Sequence, residues 1–567
     1  MRWPGKGSLR KDDKTFFYSG NRDGKFENRV GFVVSENISP YVKDFQAINK
    51  LIAKFMTRLS MHLRENKGNL LKKFCTEKFA EERVSNEFAH TTHREMLRLN
   101  NENNDENIEH IWKKIKTTVI NSAKNCLGVR KNSKKKNWFN EKCKEIVDRS
   151  NKLREKALRN PTDENLERYN ASKIETNKTL RKEKRQEEKR KIEEIEKNRF
   201  NSKKFFSNSK DVKQGYKQQT RMVRNQTGDL LTNEKDIAEE FKNYYKMLLN
   251  KTASRPSDAT YIQYSTAEPS ISNPLRIEIN WSINKLKNNK APGESNVVAE
   301  LLKNSGETLK NEIWKMINLI WEKEIIPEEW NLSILCPVFK KGDILDIKNY
   351  REISLLDTCY KVLSTVLLER ITPYAEEIIG RYQCGFRKGR STADQIFILR
   401  QVMEKHYEFD KDLYMVFVDY KQAYDRINRE ELWNTLTYFD ISKIYISMVK
   451  LCNKKTACKV KFLGESSSAF EVKSGLRQRD ALSPTLFNLG LEKVIREINH
   501  SHQVEVVNKE IILAYADDIV ILGNSRQDIT QTMSNLVTAS KRMGLCINEE
   551  KTKCMVLSRR RENQPNL

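Results

Sequence analysis

The chain has 567 residues, 38% of them hydrophobic, which is enough to bury a core in at least one domain. Its 104 Lys and Arg against 77 Asp and Glu leave a net charge of +27, which favours a polyanionic partner, nucleic acid first among them. No run reaches the roughly 18 uninterrupted apolar residues of a membrane span, no signal peptide opens the chain and no two of the ten cysteines form a C-x-x-C pair, so a membrane protein, a secreted protein and a cysteine metal framework are set aside in favour of an intracellular chain with free thiols.

Taken in order, residues 1–50 are rich in Gly and aromatics, and "TFFYSG" and "VGFVVS" read as two short strands around the turn-rich "NRDGKFEN". Residues 51–250 change to long charged helical patterns. In "IEHIWKKIKTTVINSAKNCL", Ile108, Ile111, Trp112, Ile115, Val119 and Ile120 recur near helical spacing and predict an amphipathic helix. His90 and His93 could share a helix face, but no second ligand pair accompanies them, so no zinc site is expected. In "RKNSKKKNWF" a basic cluster, Lys134, Lys135 and Lys136, runs straight into Trp138 and Phe139. That combination suits phosphate neutralisation with base stacking, or equally a loop ahead of a helix whose aromatics enter the core. Residues 181–204 hold 11 Lys or Arg and 6 Glu, the pattern of a solvated helix with a positive surplus available to phosphates.

Residues 251–274, rich in Ser, Thr and Pro without an apolar period, read as a linker. From 275 onward helical patterns such as "EIWKMINLIWEK" alternate with apolar runs such as "SILCPVF", "LYMVFVDY" and "IILAYADDIVIL", which predicts an α+β domain over 275–567. In "LYMVFVDYKQAYDRINRE" a strand ends at Asp419, and a turn leads to a helix starting around Asp425. Alone, such an acid is as readily a helix cap as a metal ligand. In "AYADDIVIL", Asp517 and Asp518 stand together in an apolar run, where a bare carboxylate is costly unless water or a cation faces it. A hairpin with both aspartates at its tip, converging with Asp419, would bring together three carboxylates suited to two Mg²⁺ ions.

These residues resemble the three central palm motifs of reverse transcriptases, specifically those of non-LTR (LINE-type) retrotransposons: "FVDYKQAYD", "GLRQRDALSPTLFN" and "YADD" stand in family order. "NKAPG", "CPVFKKGD", "NYREISLL", "QCGFRKGRSTADQ" and "GLCINEEKTKCMVL" extend the resemblance over 289–557. Other polymerases with paired-aspartate hairpins, those of mobile introns and telomerase, are the runner-up. The resemblance implies a right-hand fingers and palm domain behind a mostly helical basic connector, acting as an RNA-directed DNA polymerase on an RNA template, a DNA primer or target and dNTPs, in cytoplasm and nucleus. It implies Asp419, Asp517 and Asp518 as ligands of two Mg²⁺ ions, with Mn²⁺ as substitute. Tyr424 becomes a steric gate under the incoming sugar, its plain alternative being a core tyrosine, and Gln478 a contact to nucleotide and template. Arg351, with Lys340 or Lys341, grips the triphosphate; Lys551 protonates pyrophosphate unless it is simply solvated; Arg387, Lys388 and Arg390 track the template. Protein partners are not indicated.

"RWPGKGSLRKDDKTFFYSG" and "RVGFVVS" resemble an internal piece of the apurinic-type endonuclease that precedes the polymerase in these elements, and no endonuclease activity is expected of that piece. A thumb is expected to be absent or truncated. Three departures from the family pattern predict impairment. Arg479 replaces the usual Gly, Ser295 the usual Asp, and Glu352 the usual Pro or Gly, setting a negative charge beside Arg351. A catalytically impaired nucleic-acid-binding relic is therefore the alternative to an active polymerase.

Overall fold

The computed structural model describes residues 6–11, 14–19, 30–35, 42–47, 53–57, 74–100, 107–129, 138–160, 162–200, 205–206, 209, 222–250, 271–498 and 512–559. Two compact units result, one from Met1–Val129 with Arg221–Leu567 and one from Arg130–Thr220.

The smaller unit is built on two helices packed on each other, Glu141–Arg159 and Asp163–Lys197. Asn140 and Thr162 start them as N-caps, each side-chain oxygen accepting an N–H three residues on, from Cys143 at 3.0 Å and Asn165 at 3.4 Å. The longer helix carries 11 basic and 10 acidic residues and pairs Arg168 with Glu164 and Lys184 with Glu188 along its surface. Its charge is thus nearly balanced, and most of the positive surplus read over 181–204 comes from Arg199, Lys203 and Lys204, which follow the helix. Trp138 and Phe139 are half-buried and meet edge to face at 5.8 Å; Lys134, Lys135 and Lys136 lie outside the described residues.

In the larger unit the two strands predicted near the start are present as β2 (Lys14–Ser19) and β3 (Val30–Ser35), joined by β1 (Lys6–Lys11) in an antiparallel sheet of order β1-β2-β3. A hairpin of β4 (Val42–Ala47) and β5 (Ala53–Thr57) follows. The helical stretch after it is not a separate connector. Helices Glu82–Asn100 and Ile108–Cys126 place Phe88, Met96, Trp112, Ile115 and Val119 in the same core as Leu309, Ile313 and Ile317 of the helix Gly306–Lys323. Trp112 meets Trp330 edge to face at 5.4 Å and donates its indole N–H to Glu329 at 2.8 Å. An apolar helix stripe has to be covered, and here the covering surface is the domain downstream. Residues 251–270 of the predicted linker lie outside the described residues, but 272–274 are tied down: Arg370 donates to the carbonyls of Ser272 and Asn273, and Trp314 to that of Pro274.

A short ribbon of β6 (Val223–Arg224) and β7 (Leu230–Leu231) precedes the helix Glu234–Leu248. Then come β8 (Leu332–Phe339), β9 (Tyr350–Leu355), β10 (Leu413–Val418), β11 (Ala457–Phe462), β12 (Glu465–Ser466), β13 (Phe470–Glu471), β14 (Ile512–Tyr515), β15 (Asp518–Gly523) and β16 (Lys553–Leu557). One sheet runs β12-β11-β8-β9 with β13 also on β11, and Ile237, Phe241 and Tyr245 of the helix Glu234–Leu248 join its core. The other runs β14-β15-β10-β16, all antiparallel. Its side chains alternate as the pleat demands: Val416, Val418, Ile519 and Ile521 enter the main core, while Leu413, Met415 and Leu522 form a second cluster with Val402 of the helix Thr392–Glu408. With both faces covered, the strands β10 and β15 are continuous apolar runs, which is why they were legible as strands. The expected α+β class is met by this mixture of helices and sheets.

Of the three departures, Ser295 is structural. Its hydroxyl, fully buried, donates to Asp357, which N-caps the helix Thr358–Ile378 through the amides of Cys359 and Tyr360. Burial pushes the Asp357 carboxyl up to about 6 from its ordinary 3.8, against those hydrogen bonds. Because the folded value is the higher one, its contribution to stability is complete below about pH 4 and is lost as pH rises through 6, a swing of about 3 kcal/mol. Urea unfolding at pH 4.5 and pH 7.5 should therefore show a smaller loss of stability with rising pH in Asp357→Asn than in the parent. Equal losses in the two proteins would contradict this assignment.

Candidate active site

Asp419 continues β10 past its last paired residue, Val418, which faces Ile519 of β15. One further step in that register sets Asp419 opposite Asp518, the first residue of β15. Asp517 occupies the two-residue turn Ala516–Asp517, closed by the pairing of Tyr515 with Asp518. Ala516 takes a left-handed backbone at φ 57°, as tight hairpin turns require. The predicted hairpin with the aspartates at its tip is thus present, and the strand register brings Asp419 to them.

The three carboxylates line a cleft of about 880 Å³ together with Lys340, Arg351, Phe386, Tyr424, Gln478, Arg479 and Lys551. Burial, then the charges of Asp518 and Asp419, raise the Asp517 carboxyl above its ordinary range, with Arg351 opposing. Burial and Asp419 do the same for Asp518, with Lys551 opposing. Crowded carboxylates of this kind favour a cation in front of them. Asp419 is braced on its other side: its carbonyl accepts the Asn548 amide at 2.7 Å, and its Oδ2 accepts Asn548 Nδ2 at 3.0 Å and Lys551 Nζ at 3.2 Å. Asn548 was missed by sequence reasoning, although it lies in the quoted "GLCINEEKTK" three residues ahead of Lys551.

Besides Lys551, the cleft's cations include two from the sheet of β8 and β9. Arg351, exposed on β9, faces Asp517, and Lys340 lies at the end of β8. Partial burial, then the neighbouring charges of Arg351, Lys551 and Lys341, lower the Lys340 ammonium. Lys340 lines the cleft and Lys341 does not. Glu352 lines the same cleft as Arg351 and the three aspartates. Alternation along β9 leaves Arg351 exposed and buries the Glu352 side chain, where Gln478 Nε2 donates to Glu352 Oε1 at 2.8 Å and to Asp425 Oδ1 at 2.9 Å. Burial and the neighbouring Glu352 carboxylate hold Asp425 well above the usual carboxylate range. Asp425 lies in the short helix Ala423–Arg426, and a longer helix, Arg429–Tyr438, follows.

Tyr424 stacks on Phe487 with centroids 4.5 Å apart, and its hydroxyl has no hydrogen-bond partner among the described residues. Burial and the charge of Asp517 raise its phenol. Arg479 borders the cleft with its side chain exposed and its backbone at φ 66°, the conformation that favours the glycine expected there. Lys388 and Arg390 are exposed. Arg387 is not available to a phosphate: its guanidinium binds the Glu376 carboxylate at 2.7 Å and the carbonyls of Ile379, Gly380 and Gln383. A basic cluster in sequence does not reveal which member is turned inward.

Among the described residues no group of three or more His, Cys, Asp or Glu closes into a preformed cage for a metal ion, and no helix is long and apolar enough to cross a membrane. Asp419, Asp517 and Asp518 nonetheless fit magnesium as an oxygen-only donor set on an open cleft, since that ion is ordinarily held by one or two carboxylates plus substrate phosphates.

Residues 338–564 match the family model described as reverse transcriptase (RNA-dependent DNA polymerase). The chain is similar to the Transposon TX1 uncharacterized 149 kDa protein of Xenopus laevis, at 24% identity over 44% of this chain and 20% of that protein. It is similar also to the probable RNA-directed DNA polymerase from transposon BS of Drosophila melanogaster, at 24% identity over 52% of this chain and 34% of that protein. A solved apo telomerase from Candida Tropicalis aligns over 46% of this chain and 64% of its own at 12% identity and a TM-score of 0.32. The chain spans about a fifth and about a third of the length of these two curated relatives.

Proposed function

We propose that this chain is the polymerase segment of a non-LTR retrotransposon protein, an RNA-directed DNA polymerase that extends a DNA primer on an RNA template with dNTPs, as cytoplasmic and nuclear elements of this kind do. The observation that carries the reading is the register that sets Asp419 against the Asp517–Asp518 turn in a cleft whose far wall is Lys340 and Arg351. The sheet of β10 and β15 serves as palm and that of β8, β9 and β11 as fingers.

Two Mg²⁺ ions held at Asp419, Asp517 and Asp518 would activate the primer hydroxyl and stabilise the leaving phosphate oxygen. The remaining work belongs to this chain's own groups. Arg351 and Lys340 bind the triphosphate and offset the charge that develops on it. Lys551, held at Asp419 by its ammonium, is placed to give a proton to departing pyrophosphate. Gln478, its amide N–H groups fixed by Glu352 and Asp425, presents a set orientation to nucleotide and template. Lys388 and Arg390 neutralise template phosphates; Lys134, Lys135 and Lys136, which lie outside the described residues, remain a separate candidate for phosphate contact on the strength of their sequence alone. The strands β1 to β3 we assign to an endonuclease-like segment, supported by their position ahead of the polymerase motifs.

Tyr424, rigid on Phe487, excludes the 2′-hydroxyl of a ribonucleotide. With a primed RNA template and Mg²⁺, the parent should incorporate dNTPs in strong preference to rNTPs. Tyr424→Val should erode that preference by on the order of 10²-fold while dNTP use falls far less. Equal use of dNTPs and rNTPs by the parent, or incorporation independent of template, would overturn the reading. Arg479 at φ 66° favours a second reading, an impaired nucleic-acid-binding relic, for which salt-sensitive RNA binding without incorporation is the signature.

A further inference from the structure

The turn that carries Asp517 cannot be satisfied by its own hairpin, because the N–H and C=O of Ala516 point away from the ladder. Gln383, 1% exposed in the loop after the helix Thr358–Ile378, meets both. Its Oε1 accepts the Ala516 N–H at 2.8 Å, and its Nε2 donates to the Ala516 carbonyl at 3.2 Å. The same Oε1 accepts the Gly385 N–H at 2.8 Å, so the side chain is locked from its own loop as well. Backbone pairing flanks this contact: Cys384 N–H donates to the Ala514 carbonyl at 2.9 Å, and Ala514 N–H to the Tyr382 carbonyl at 3.0 Å. The next residue, Gly385, lies so close that a Cβ there would stand 2.1 Å from the Ala516 nitrogen, and its carbonyl is held by Asn488 Nδ2 at 2.8 Å.

We infer that Gln383 is a positioning residue for the catalytic hairpin, its amide acting as a one-residue extra strand that holds Ala516 left-handed and thereby aims the Asp517 carboxylate into the cleft. Three hydrogen bonds to a buried, uncharged side chain in contact with no cleft cation leave no other evident task for it. A left-handed alanine persists only where its surroundings over-determine it, and Gln383 supplies both of the partners the turn lacks. The catalytic consequence rests on the nucleotidyl-transfer reading above; the clamp on the hairpin does not.

The test is hydrogen–deuterium exchange of the full chain, parent against Gln383→Met, which keeps the volume and removes all three hydrogen bonds, and Gln383→Asn as the milder change. Peptides covering 512–523 should lose protection at least tenfold in Gln383→Met while peptides of the helix Ser483–Glu497 keep theirs. If the methionine variant does not fold, the asparagine variant is read the same way. Unchanged protection at 512–523 would overturn the clamp. In primer extension the same variants should lower kcat by on the order of 10²-fold, the cost of about 1 Å of misplacement, and leave the KM for dNTP within a few-fold. A loosened hairpin with unchanged kcat would overturn the positioning role, as would a rise in KM with kcat preserved. Absence of incorporation by the parent together with the local loss of protection would sink the polymerase reading and leave the clamp standing.

Discussion

Asp419→Ala is expected to lower templated nucleotide incorporation by about 10³-fold or more without unfolding the protein. Asp419 faces Asp518 across the β10–β15 register, and its charge raises both hairpin carboxylates, so its removal relieves repulsion in the folded state. What is lost is the acceptor for the buried Asn548 amide and for Lys551, which is exposed in the cleft. The melting temperature should therefore change by no more than a few degrees while activity disappears. A variant that loses activity only by unfolding would show that Asp419 is a structural acid, the helix-cap alternative left open by its sequence context.

Arg479→Gly is expected to change the protein in the opposite direction. A left-handed backbone costs an L-residue about 1–2 kcal/mol, and glycine returns roughly 0.5–1 kcal/mol of that through its freer unfolded chain. The substitution should therefore stabilise the fold by up to about 1 kcal/mol. It also takes a long cationic side chain off the wall of the cleft beside Gln478, the passage for template and nucleotide in the function proposed above. We expect incorporation per enzyme to rise by about tenfold, which corresponds to roughly 1.4 kcal/mol of barrier. Greater stability with no gain in incorporation would mean that Arg479 strains the loop without obstructing the cleft.

Much of this site can be read from the residues themselves, for reasons that differ from one to the next. The Asp517–Asp518 hairpin was legible because two charges interrupt an apolar, β-forming run, and the strand ending at Asp419 because its side chains are buried on both faces. Glu352 was legible in part: a two-residue period separates its buried side chain from the exposed Arg351, but nothing in the sequence points to Gln478 as the group that binds it at the cleft. Arg387 was not legible, because nothing distinguishes an arginine turned onto Glu376 from its exposed neighbours Lys388 and Arg390. Nor were the partners of the helices Glu82–Asn100 and Ile108–Cys126, since an apolar stripe says that a helix is covered but not by what. Gln383 carries no charge and breaks no period. Its one signal is the glycine two residues on, where backbone meets backbone.

Incorporation of labelled dNTP on a primed RNA template with Mg²⁺, compared between Arg479→Gly and the double variant Arg479→Gly/Asp517→Asn, tests the central claim most directly. Asparagine keeps the shape of the turn and removes only the charge that faces the cleft. The account predicts template-dependent synthesis by the first protein and none by the second, with RNA binding equal in both. Synthesis that survives Asp517→Asn, or that is absent from both proteins, would contradict it.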